Sequence, residues 1–203
     1  MPAWIRNTLF IVAMLSAMII GMRVYMELQP RLTDTSLPDS GQLAGTPETL
    51  PEFILNDVGG DPRNIREWAD QPLLINFWAT WCAPCRREIP LLQQLHTEKS
   101  VTGIQVIGVA IDNPSDVQAF LGEFGVSYPN LVGEADAIAA SALFGIDNLG
   151  LPFSVLVAAD GNILTVHIGE LDIDQLAKMA SVSTAYETSA VTLQPARDEL
   201  AAL

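Results

Sequence analysis

The sequence predicts an α/β fold in which a mixed central β-sheet is flanked by helices. Three observations predict it. Apolar runs of strand length alternate with segments of helical periodicity. Residues 73–78 and 104–110 are almost continuously apolar, as strands covered on both faces are. The last two apolar runs are joined by a tight turn and followed by a helical segment, so they pair antiparallel and the sheet is mixed.

The elements follow in order. Phe53-Ile54-Leu55, the turn-rich stretch from Asn56 to Asp61, and the residues up to Trp68 predict a small hairpin and a helical turn. Leu73 to Trp78 is a buried central strand. A helix is expected from about Pro84 to Lys99, because Ile89, Leu91, Leu92 and Leu95 recur at helical spacing. Gly103 leads into the strand Ile104 to Ala110. Asn113 caps a helix that Pro114 starts; Val117, Phe120, Leu121 and Phe124 form its apolar face and Gly125 ends it. A shorter helix covers Asp136 to Leu143. Strands Phe153 to Val157 and Ile163 to Ile168 are joined by Ala159-Asp160-Gly161-Asn162. Ile173 to Ala180 is the last clear helix. Residues 181–203 form a tail in which Pro195 to Leu203 admits a short helix. The chain shows no internal repeat.

The N-terminal region has a different composition. Residues 7–22 carry no charge between Arg6 and Arg23. A helix over that stretch is about 24 Å long, slightly under a hydrocarbon core. Val24 to Met26 extend its apolar face, and Arg23 can snorkel. Residues 7–26 are therefore expected to be a transmembrane signal anchor. The competing readings are a cleaved signal peptide and a buried helix; no good small-residue pair marks a cleavage site after the run. Arg6 and the free amine place residues 1–6 in the cytoplasm and residues 27–203 outside. Residues 27–50 are rich in Pro, Ser, Thr, Gly and Asp without apolar period and read as a flexible linker. Residues 51–180 form the folded domain.

Charge narrows the possible partners. The chain of 203 residues has a formal net charge of -14. That argues against nucleic acid and against anionic head groups, both of which select Lys and Arg.

Two cysteines are present, Cys82 and Cys85. A loop so short constrains the unfolded chain little, so stapling is a poor reason for the pair. The motif sits where strand 73–78 gives way to a helix. Free N–H groups and the helix dipole there favour an anion, which lowers the pKa of the first cysteine. Cys82 is then the exposed nucleophile, and Cys85, one turn along, resolves the mixed disulfide. The alternatives are half a zinc site and a pair of inert thiols. Zinc needs four ligands, and His96 and His167 lack the spacing of a second ligand pair. No metal and no cofactor is expected.

Phe77-Trp78-Ala79-Thr80-Trp81-Cys82-Ala83-Pro84-Cys85-Arg86-Arg87-Glu88-Ile89-Pro90 resembles the active-site segment of the membrane-anchored thioredoxin-like (TlpA/ResA-type) oxidoreductases. The resemblance covers about residues 51–180 and implies a thioredoxin fold. It implies that Trp81 flanks and shields the nucleophile and that Glu88 tunes cysteine proton exchange; the plain reading of Glu88 is a solvated helix carboxylate. It implies a kink at Pro90 and a cis-proline at Pro152, with the backbone of Leu151 pairing with an incoming polypeptide; the plain reading of Pro152 is an edge-strand proline. Asn76 stands where plain thioredoxin has a buried acid, and Phe153 where the family more often has Thr. Arg86 and Arg87 either raise the local potential or are solvated helix charges. His96 reads as a surface residue and His167 as a structural one.

The resemblance further implies a disulfide reductase of extracytoplasmic proteins, on the outer side of a bacterial inner membrane, in cytochrome c or oxidase maturation. Its electrons would come from a membrane-embedded thiol donor. The same dithiol run in reverse is a disulfide-forming oxidant. A thioredoxin-fold copper chaperone is a third reading, but such proteins use cysteines three residues apart plus a distal histidine. A peroxidase needs a lone peroxidatic cysteine.

Overall fold

The structure is a computed structural model that describes residues 2, 16, 22–23, 45–146 and 150–203. The chain divides into Met1–Ser40 and Gly41–Leu203, and the fold described here is that of the second unit. The expected anchor 7–26 lies outside the described residues except for Ser16, Met22 and Arg23. Among the described residues no helix is long and apolar enough to cross a membrane.

A seven-stranded mixed sheet carries the fold. Its strands are β1 (Ile54–Asp57), β2 (Pro62–Asn64), β3 (Leu73–Trp78), β4 (Gln105–Ile111), β5 (Asn130–Gly133), β6 (Phe153–Val157) and β7 (Ile163–Ile168), in the order β2-β1-β5-β4-β3-β6-β7. The β3–β4 and β4–β5 pairs are parallel; the other pairs are antiparallel. The helices are α1 (Ala83–Thr97), the single turn α2 (Lys99–Thr102), α3 (Pro114–Phe124), α4 (Ala135–Ala142), α5 (Ile173–Glu187) and α6 (Leu193–Leu200), with a 3-10 turn at Ile65–Trp68.

Sequence chemistry accounts for the boundaries. Asn113 accepts from Ser115 N–H and caps α3, and Gly125 ends that helix at φ 65. Asp172 and Gln175 form a reciprocal capping box on α5. Gly161, at φ 87, makes the β6–β7 turn.

Alternation along the strands sorts the core. Leu73, Ile75 and Phe77 face one side with Phe153, Phe144 and α4. Leu74 and Trp78 face the other, where α1, α3, α5 and α6 pack. On that second side the apolar residues fall into two clusters, one around Leu92, Leu156 and Met179, the other around Trp78, Phe120 and both cysteines.

Three expectations are modified. The folded part begins before residue 51: Leu50 is buried, its N–H donates to Gly161 O, and Ile163 N–H donates to Glu48 O. Strand β5 was not anticipated, because four residues show no readable alternation. Helix α5 runs on to Glu187, and the tail packs. Ala196 and Leu200 of α6 are buried, and Arg197 donates to Ile163 O at 2.9 Å and to Glu48 O at 3.2 Å.

Candidate active site

Cys82 occupies the N-cap of α1. The preceding loop is fixed from two sides. Cys82 N–H donates to Ala79 O at 3.2 Å, and Asp112 Oδ2 accepts from Thr80 N–H at 2.9 Å and from its hydroxyl at 2.5 Å. Asp112 follows β4, which runs parallel to β3, so adjacent strand ends set the loop's shape. The cysteines are joined as a disulfide with Cα atoms 5.3 Å apart. Cys82 Sγ accepts the N–H of Cys85 at 3.3 Å, so the sulfur takes the place of a capping oxygen.

Exposure corrects one expectation. Cys82 is only 5% exposed and Cys85 is fully buried, since Trp78, Ala79, Ile89 and Val117 enclose them. Of the two, Cys82 is the less buried residue. Trp81, next to it, is 63% exposed. Leu151 packs against the cysteine cluster, the Leu151–Pro152 bond is cis, and Gly169 N–H donates to Pro152 O at 2.8 Å.

Glu88 is not a solvated carboxylate: it is fully buried. Its place on α1, one turn after Cys85, turns it inward on the same face as that cysteine. Oε1 accepts from Asn76 Nδ2 at 2.7 Å, and Oε2 accepts from Leu171 N–H at 2.8 Å. Burial pushes its carboxyl up to about 7; the two hydrogen bonds oppose the shift and Glu170 adds to it. Arg87 grips Glu170 through paired guanidinium hydrogen bonds, so the turn carrying Leu171 is tied to α1. Arg86 lies instead over the rings of Phe120 and Phe124.

Beneath Glu88 a single register row crosses the sheet: His167, Ser154, Asn76, Gly108 and Asn130. Asn76 Nδ2 also donates to Ser154 Oγ at 3.0 Å, and Trp78 Nε1 donates to Asn130 Oδ1 at 3.0 Å. A Cβ on Gly108 would lie 2.0 Å from Asn130 Oδ1, so the glycine makes room for that amide. His167 is half-buried at the end of the row. His96 is half-buried too, edge-on to Tyr128 at 6.0 Å, and not a free surface residue.

The site residues not anticipated are Asp112, Ser154, Glu170 and the main chain of Leu171. Ser154 had a legible signal, being a polar residue in an otherwise apolar strand. The other three are brought to the site by tertiary contacts that no local pattern records.

Such a dithiol at a helix N-terminus, with a buried acid one turn on, defines a thioredoxin-like thiol–disulfide oxidoreductase. Residues 44–183 match the Redoxin family. The chain belongs to that family, among its TlpA/ResA-type thiol–disulfide oxidoreductases. It is 33% identical over 131 residues to the thiol-disulfide oxidoreductase ResA of Halalkalibacterium halodurans, covering 63% of this chain and 70% of that protein. Identity to ResA of Geobacillus thermodenitrificans is 27% over 124 residues, covering 61% and 69%. Among solved structures it is similar to a thioredoxin-family thiol:disulfide interchange protein of Chlorobium tepidum, with a TM-score of 0.59, 26% identity and coverage of 68% and 96%. A putative thioredoxin of Neisseria meningitidis matches with a TM-score of 0.60, 25% identity and coverage of 71% and 94%.

Proposed function

We propose that the chain reduces disulfides of extracytoplasmic proteins, with Cys82 as nucleophile, Cys85 as resolving thiol and Glu88 as the acceptor of the Cys85 proton. The observation that carries this reading is the Cys82 sulfur seated as the N-cap of α1 with an N–H aimed at it, a setting that stabilises a thiolate. In the reduced protein the Cys82 thiolate attacks a client disulfide, forming a mixed disulfide and expelling one client thiolate. Cys85 gives its proton to Glu88 and attacks Cys82 Sγ. The second client thiolate leaves, the Cys82–Cys85 disulfide forms, and two electrons have passed to the client. The expelled thiolates take up protons.

Trp81, Leu151 and Pro152 form the client-binding rim. Leu151 and Pro152 lie in the loop over the cysteines, where the main chain of Leu151 pairs with an extended polypeptide. The exposed indole of Trp81 gives an apolar contact beside Cys82.

The uncharged run 7–22, extended by Val24 to Met26 with Arg23 snorkelling, supports a single-pass anchor over residues 7–26 in a bacterial inner membrane, with residues 27 onward outside it. Electrons would then come from a membrane-embedded thiol donor, and cytochrome c or oxidase maturation is the process such a reductase serves.

The test equilibrates the full-length chain with glutathione or dithiothreitol buffers and follows the cysteine pair by thiol labelling. A potential near or below ~-270 mV is expected and makes the chain a reductant. A value near ~-120 mV would make it an oxidant that installs disulfides.

A further inference from the structure

Asn76 is fully buried on the central strand, and its amide is used unevenly. Nδ2 donates to Glu88 Oε1 at 2.7 Å and to Ser154 Oγ at 3.0 Å, while Oδ1 has no partner. On the other side of Glu88 the Leu171 N–H is a fixed donor to Oε2. Both neighbours therefore suit a carboxylate, which only accepts. A protonated Glu88 needs an acceptor for its own hydrogen, and a buried hydroxyl without one is costly. Asn76 carries such an acceptor at the other end of the same amide.

We propose that Asn76 is a two-position amide that follows the charge of Glu88: the observed orientation holds the carboxylate, and the orientation turned by about 180° accepts the hydrogen of the acid. The inference rests on the reading of Glu88 as a proton acceptor. Ser154 completes the device, since its hydroxyl accepts from Nδ2 in the first state and, by rotating, donates to Oδ1 in the second. No proton leaves Asn76 or Ser154. The proton that Glu88 gains comes from Cys85, and only the direction of two hydrogen bonds reverses.

The other groups around Glu88 do not offer this reversal. Glu170, on the turn, is held by Arg87. Tyr128, ahead of β5, is kept a neutral phenol by burial. His167 lies on β7, beyond Ser154 in the register row; burial lowers its pKa, against a main-chain hydrogen bond at Glu170 and the charge of Asp172. Asn76 is thus a positioning residue that keeps both charge states of Glu88 accessible.

The test is NMR of the full-length oxidised chain between pH 5 and 9, following the Asn76 side-chain amide and the Glu88 carboxyl carbon. The amide signals are expected to move with the same midpoint as the Glu88 carbon. Asn76→Leu removes the donor to the carboxylate and the acceptor for the acid together, so the Glu88 midpoint is expected to move by less than about one pH unit. A Glu88 that titrates while the wild-type Asn76 amide stays still overturns the inference and leaves the proton-acceptor reading intact; the wild-type measurement stands even where the variant does not fold. A rise of more than about one pH unit in a folded Asn76→Leu variant marks a fixed donor and overturns it as well. Failure of the underlying reading shows elsewhere, as a Glu88→Gln variant whose thiol–disulfide exchange keeps the wild-type pH profile.

Discussion

The main-chain N–H of Leu171 donates to Oε2 of Glu88 across 2.8 Å, joining residues 83 positions apart in the chain. Burial, opposed by that bond and the Asn76 amide, leaves the carboxyl poised at about 7. A group at that position can take a thiol proton near neutral pH. Glu88→Gln is therefore expected to slow resolution of a mixed disulfide by about 10²-fold at pH 7. It should also remove the rise in rate expected of the wild type as pH passes through 7. Stopped-flow reduction of a model disulfide across pH 5–9 measures both; an unchanged profile would exclude the role.

The same burial has a stability consequence of definite sign. Folding raises the Glu88 pKa from 4.5 to about 7. Below 4.5 the group is protonated folded and unfolded, and contributes nothing. Between 4.5 and 7 only the unfolded chain ionises, so stability is lost as pH rises, by about 3 kcal/mol at the top of the window. Urea denaturation of the oxidised protein at pH 5 and 8, compared with Glu88→Gln, isolates this from the histidines. The wild type should lose stability relative to the variant on going to pH 8.

Arg197 holds two carbonyls of different segments, Ile163 O and Glu48 O. Arg197→Met leaves both without that donor and is expected to cost about 1–3 kcal/mol. The redox potential of the cysteine pair should not move, because α6 does not touch it. A changed potential at unchanged stability would refute the separation.

Gly108→Ala places a methyl against Asn130 Oδ1, which is held by Trp78 Nε1, while its Nδ2 donates to Tyr128 O. The amide cannot retreat without releasing the indole. A loss of about 2–3 kcal/mol is expected, read by denaturation together with a shift in tryptophan fluorescence.

Much of this architecture was legible in the sequence. β3 and β4 announce themselves as apolar runs, and α3 by its Asn113 cap and Gly125 stop. Cys82 and Cys85 were legible because the strand-to-helix switch lies beside them. The burial of Glu88 was not, since a carboxylate on a helix reads as solvated until the turn at 169–172 is seen to cover it. β5 is too short to carry a pattern. The packing of α6 was hidden because its anchor, Arg197, reaches main-chain oxygens, which carry no sequence signature.

The entry of the chain into the domain also has a mechanical meaning. Leu50 N–H and Glu48 O are bonded to Gly161 and Ile163, at the start of β7, and Arg197 clamps the same place. Tension on the chain ahead of Thr46 would pass the Thr46 hydroxyl bond to Phe144 O and then load these main-chain bonds. They join main-chain segments running antiparallel, so several share the load, and the force enters the sheet at an outer strand. The central strand that leads to Cys82 lies two strands inward and is spared.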